Sequence, residues 1–163
     1  MSAKEAIVPD EFDAIIAAPF GALGVRTEDD FVSEISFLPP GTKPEAAKSA
    51  LATRAGAQLA AYLANPQARF TLPLKPAGTP FQRNVWQAIA AIATGTTLSY
   101  GEIARNLQSA PRAVGQACGR NPYPLVVPCH RVVSAGGMGG FANASDGYLL
   151  DTKRWLLAHE GAL

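Results

Sequence analysis

Residues 121–133 read NPYPLVVPCHRVV. Pro122 and Pro124 stiffen the approach, because each proline fixes its own φ and steers the residue before it toward extended backbone. Leu125, Val126 and Val127 follow as a short apolar run, the length of a buried three-residue strand. Pro128 ends that strand, having no N–H to give to a ladder. Cys129 is therefore expected at a turn, backed by apolar residues and open in front. A free thiol has a pKa near ~8.5, so at neutral pH it needs a base or a positive charge to act as a nucleophile. His130 is the nearest base, directly or through a bridging water. A buried core cysteine is the plainer reading of a bare Cys-His pair. The whole of PCHRV, with NPxP upstream, favours the nucleophile.

The 163 residues, 48% of them hydrophobic, suffice for one domain or two small ones with a real core. Net charge is +1 and excludes no partner by itself. Its distribution is uneven: residues 1–77 hold seven Lys/Arg against nine Asp/Glu (−2), and residues 78–163 hold seven against four (+3). Between Phe81 and Arg131 there are five arginines and one acid, Glu102, a modest basic stretch compatible with a polyanion or with an ordinary solvated face. Two cysteines, Cys118 and Cys129, make neither a disulfide scaffold nor a CxxC metal pattern. The N-terminus lacks the charged and apolar regions of a signal peptide, and no window approaches 18 uninterrupted apolar residues. A reducing cytoplasmic setting without membrane contact is expected.

Residues 12–18 and 22–26 flank Pro19-Phe20-Gly21 as a hairpin, and 31–38 form a third strand after an acidic turn. Pro44 is expected to open a helix with Leu51, Ala55, Leu59, Tyr62 and Leu63 on its apolar side, stopped by Asn65-Pro66. Residues 70–74 read as a further strand, and 75–80 (KPAGTP) as a linker. Thr79 can cap the next helix with Pro80 at its first position; Phe81, Val85, Ile89 and Ile92 stripe it, with Trp86 alongside. Ser99 caps a helix over 100–107, a short turn follows, and Pro111 starts another through 119. That is a helix-turn-helix outline. The second of these helices, RAVGQACG, is poor in bulk, so its backbone can approach a partner closely, with Gly115 lowering helix stability to allow it.

PCHRV with the preceding Asn121, RAVG upstream and WLLAHEG near the C-terminus resembles the O6-alkylguanine-DNA alkyltransferases, the methylated-DNA–protein-cysteine methyltransferases. The likeness covers about residues 81–161; the N-terminal half matches in length and position alone. The resemblance implies an α+β fold: a small N-terminal sheet-plus-helix scaffold domain over 1–76, and a mostly helical C-terminal domain over 77–163 with a winged helix-turn-helix-like DNA-binding unit. It implies irreversible, single-turnover transfer of an alkyl group from O6-alkylguanine, and from O4-alkylthymine, in double-stranded DNA, by a monomer with no metal and no cofactor. Cys129 would attack the alkyl carbon, His130 accept its proton through a water, Glu160 orient His130, and Asn121 brace the turn. Tyr100 would contact the flipped guanine and give it a proton. Arg112 would fill the vacated stack, with Ala113, Gly115 and Gln116 beside it in the minor groove. Val132, Phe141, Ala142 and Cys118 would surround the alkyl group. Arg131 has a structural duty, tying its turn to carbonyls or a carboxylate.

The chain departs from that family in three places. The turn between the two helices is shorter than in the animal members, Phe141 stands where a Tyr is usual, and Cys118 occupies a position that also takes larger apolar residues. Two other readings use the same residues: a non-transferring relative that only recognises the lesion, which the presence of Cys129 opposes, and a cysteine hydrolase, which has no use for the RAVG helix.

Overall fold

A computed structural model describes residues 11–140 and 147–163. The chain divides into two compact units, Met1–Lys75 and Pro76–Leu163. The first is an antiparallel sheet of β1 (Ala14–Ala18), β2 (Gly21–Glu28) and β3 (Phe31–Leu38) with one helix, α1 (Ala50–Ala64). β1 and β2 form the expected hairpin about Pro19-Phe20, with Ala18 opposite Gly21. Gly21 is needed there, because a Cβ would sit 2.2 Å from the Leu38 carbonyl oxygen. Phe12, Ile15 and Ala22 cluster in this core with Leu38 packed against them, and α1 adds Ala52, Ala55, Leu59 and Tyr62.

Two elements of this unit differ from the sequence reading. The helix expected from Pro44 starts at Ala50, where the Ser49 side chain accepts the Ala52 N–H. The preceding residues are drawn instead onto the free edge of β1: Glu45 exchanges both backbone bonds with Ile15, and the Lys48 N–H reaches the Asp13 carbonyl. A strand edge offers unpaired donors and acceptors, and satisfying them outweighs one more helical turn. The strand expected over 70–74 reduces to one bridge, Leu74 with Val32.

The second unit contains α2 (Pro80–Ala90), β4 (Leu98–Ser99), α3 (Tyr100–Asn106), α4 (Pro111–Gly119), a single 3-10 turn (Cys129–Arg131), β5 (Val132–Val133) and α5 (Tyr148–His159). Capping boxes start α2 (Thr79 with Gln82) and α3 (Ser99 with Glu102), each pairing two otherwise orphaned backbone donors. α3 and α4 make the helix-turn-helix, turning at Gln108, whose φ of 55° is left-handed. The buried Trp86 indole N–H donates to the Ala117 carbonyl at 2.9 Å and ties α4 to α2.

β4 and β5 are only two residues each, yet they fix the functional geometry. They pair in parallel, Leu98 with Val132 and Ser99 with Val133. Tyr100 directly follows β4 and the Cys129–Arg131 turn directly precedes β5, so one ladder sets the start of α3 beside that turn.

Candidate active site

The run Leu125–Val127 is not a strand. Leu125 and Val126 form the tip of a tight turn closed by a bridge between Pro124 and Val127. Leu125 takes a left-handed φ of 78°, uncommon for a branched side chain and a source of local strain. Its side chain is nonetheless buried, and burial of that apolar group opposes the strain. Pro128 (φ −82°, ψ 68°) then makes an inverse γ-turn, with the Cys129 N–H on the Val127 carbonyl at 2.8 Å. The Arg131 N–H returns to the Pro128 carbonyl at 2.9 Å.

Asn121 holds this loop shut. Its Oδ1 accepts the Tyr123 N–H at 2.9 Å, and its Nδ2 donates to the Val127 carbonyl at 2.8 Å and to Cys129 Sγ at 3.3 Å. The nucleophile candidate is thus not open in front: Cys129 is 5% exposed. Cys118, half-buried on α4, hydrogen-bonds to it. Such thiols titrate as a pair, since an ionised sulfur accepts from its neighbour and suppresses the neighbour's own ionisation. That bond with Cys118, and then burial, pushes the Cys129 thiol well up; Asn121 and Lys153 pull it down. The same bond draws Cys118 down. At rest Cys129 holds its proton and needs a base.

His130 is the next residue of the same turn. It is 1% exposed, and its Nε2 lies 2.8 Å from Glu160 Oε2. Its Nδ1 is buried with no hydrogen-bond partner among the described residues. Burial lowers the imidazole pKa, against the opposing pull of Glu160, so the ring is neutral and able to take a proton. The positive charge of Arg131 adds a smaller contribution in the same direction as burial. The guanidinium grips the same carboxylate, Nε on Oε1 at 2.9 Å and Nη2 on Oε2 at 3.0 Å, and also binds the Ile92 carbonyl and Thr94 Oγ1. Its expected structural duty is carried by these four bonds.

Tyr100 looks onto the same space. Its hydroxyl donates to the Gly140 carbonyl at 3.4 Å. Burial, then the two thiols, pushes its pKa up to about 12, so it remains a hydrogen-bond donor at any physiological pH. A Cβ on Gly115 would lie 3.9 Å from its ring. Val132 is fully buried in β5, Ala113 and Gly115 are half-buried on α4, and Arg112 and Gln116 are exposed there. Phe141 and Ala142 lie outside the described residues. A separate cavity of about 540 Å³ opens between α2 and α4, lined by Thr79, Phe81, Gln82, Ala113, Gln116, Ala117 and Arg120. Among the described residues no cluster of three or more His, Cys, Asp or Glu side chains is placed to hold a metal, and no helix is long and apolar enough to cross a membrane.

Sequence reasoning missed Lys153. It is fully buried, and its ammonium donates to the Val132 and Gly140 carbonyls, both at 2.8 Å. Its signal was its spacing: with Leu157 and Glu160 it falls on one helical stripe (i, i+4, i+7), and that stripe is buried.

Residues 80–162 match the family described as "6-O-methylguanine DNA methyltransferase, DNA binding domain". The methylated-DNA–protein-cysteine methyltransferase of Methanosarcina acetivorans is 38% identical over 157 residues, spanning 91% of this chain and 97% of that protein. The enzyme of that name from Mycolicibacterium paratuberculosis is 38% identical over 89% of each chain. Among solved structures, the O6-methylguanine methyltransferase of Mycobacterium tuberculosis superposes with a TM-score of 0.72 at 33% identity, covering 91% of each chain.

Proposed function

The chain belongs to the methylated-DNA–protein-cysteine methyltransferases, and from that premise we propose that Cys129 is the residue that takes the alkyl group. The protein repairs DNA by direct reversal, and DNA is its partner. The observation that carries the assignment is that Asn121 holds the Cys129 thiol, Glu160 holds His130 of the same turn, and thiol, imidazole and carboxylate are all buried.

His130 Nδ1, with Nε2 engaged by Glu160, receives the Cys129 proton through a bridging water. The thiolate attacks the alkyl carbon, the C–O bond breaks, and guanine leaves with the electron pair. Tyr100 donates a hydrogen bond to the departing base and offsets the charge that grows there. The C–S bond formed is a thioether that no group in the site can cleave, so each molecule acts once.

The lesion sits inside the duplex stack, and the nucleotide must turn out, at a cost of a few kcal/mol. Arg112, exposed at the start of α4, fills the gap with its planar guanidinium. Ala113, Gly115 and Gln116 lie with it along the minor groove, and Cys118 and Val132 bound the alkyl group together with Phe141 and Ala142. Residues 77–163 carry binding and transfer, and 1–76 act as scaffold. The protein works as a monomer in the reducing cytoplasm, and O4-alkylthymine is a second substrate.

Incubation with excess O6-methylguanine duplex tests this. One methyl per chain should appear on a peptide containing Cys129, and Cys129→Ser should abolish it. Multiple turnovers, or methyl on another residue, would overturn the assignment.

A further inference from the structure

We propose that Thr94 is a positioning residue for the transfer: its hydroxyl anchors the Arg131 guanidinium and so holds it on the Glu160 oxygen that faces His130. The inference rests on His130 being the base for Cys129.

The chain between α2 and β4 makes a tight turn over Ala93–Thr96. The Thr96 N–H and hydroxyl both donate to the Ala93 carbonyl, at 3.1 and 2.7 Å. Gly95 takes a left-handed φ of 87° at the third place, where glycine suits such turns. A Cβ there would lie 3.2 Å from the Glu160 carbonyl oxygen, so the turn sits close against the end of α5. Arg131 is anchored on the same turn. Its guanidinium gives Nε and Nη2 to the two carboxylate oxygens of Glu160. Its outer edge gives Nη1 to the Ile92 carbonyl at 2.6 Å and Nη2 to Thr94 Oγ1 at 3.1 Å. A planar fork held along both edges fixes the carboxylate it grips. Of the two anchors, Ile92 offers backbone and Thr94 a side chain.

Nη2 is the atom that links Thr94 to the base. It bonds both Thr94 Oγ1 and Glu160 Oε2, and Oε2 is the oxygen 2.8 Å from His130 Nε2. Without the hydroxyl one Nη2 hydrogen loses its acceptor at the rim of the network, and the guanidinium turns outward to meet water. The carboxylate charge then falls more fully on the imidazole, which keeps a proton to higher pH. A ring already protonated cannot receive the Cys129 proton. The other charged groups acting on His130 are Arg131 of its own 3-10 turn and Lys153 of α5, and both oppose the imidazolium. α2 also packs against the 3-10 turn, and its buried residues, Val85, Trp86 and Ile89, bring no ionisable group.

The test compares T94V and T94A, which lack the hydroxyl, with T94S, which keeps it. The chain has two histidines, so NMR can follow each imidazole across pH, with His159 as internal reference. Single-turnover methyl transfer from an O6-methylguanine duplex is measured over the same range. A neighbouring charge moves a pKa by about 1–3 units, and loosening it should release about half a unit or more. T94V and T94A should therefore raise the His130 midpoint by about that amount and leave His159 where it was. The acid limb of transfer should move up with His130, about 3-fold slower on that limb and equal to wild type above it. T94S should match wild type in both readouts. Thr94 is half-buried, and should T94V not fold, T94A carries the comparison. A His130 midpoint unmoved without the hydroxyl, an equal move in T94S, or slowing that is the same at every pH would overturn the proposal. Failure of wild type to take methyl from DNA would overturn the functional reading instead, and leaves the His130 midpoints to judge Thr94.

Discussion

Glu160 serves two partners with two oxygens: His130 and Arg131 share Oε2, and Arg131 holds Oε1 as well. The carboxylate therefore holds a structural guanidinium and the proposed base together, and a substitution there should have two effects. Glu160→Gln leaves the Arg131 guanidinium buried without its counter-charge. Breaking a buried pair from one side typically costs about 3–5 kcal/mol, so urea unfolding should show a loss of about 3 kcal/mol. The same variant should slow Cys129 labelling near neutral pH, since a neutral amide sustains the forming imidazolium less well. A loss under about 1 kcal/mol, the size of an exposed ion pair, would mean that water reaches this network and that burial does not set its strength.

The starts of α2, α3 and α4 were legible because their signals are local. Thr79-Pro80 and Ser99 each mark a cap whose partner lies three residues on, and Pro111 opens α4 at the expected residue. The turn at 125–126 was not, because apolar composition describes burial and not direction: Leu125 and Val127 are buried whether the chain runs straight or reverses. Lys153 was hidden for the opposite reason, a charged residue in a helix being solvated by default. α4 carries a trade-off of its own. Gly115 lowers its stability, and a methyl there would meet only the Tyr100 ring at ordinary contact distance. Gly115→Ala should thus raise stability by up to about 1 kcal/mol, read by thermal unfolding, while weakening duplex binding through loss of close approach. Unchanged affinity would place Gly115 off the DNA-facing side of the helix.

Across the whole molecule, charge separates along the chain, −2 in residues 1–77 and +3 in 78–163. Affinity for undamaged duplex should come mainly from phosphates and fall steeply with salt, log K dropping by about 0.9 per phosphate contact for each unit of log salt. Fluorescence anisotropy over a salt series would measure that slope, and a flat series would mean that contacts other than phosphates hold the duplex. The proposed transfer site depends on a connection of longer range. Arg131 and Glu160 are 29 residues apart, and the loop bearing the thiol leaves the ribosome before the helix that completes it. At about 5–20 residues per second, the nascent protein spends roughly 1.5 to 6 s with Cys129 already made and the carboxylate for His130 not yet translated. On the proposed assignment the cysteine has the chemistry of an ordinary thiol during that interval, and the single reaction would be withheld until α5 has been synthesised and docked.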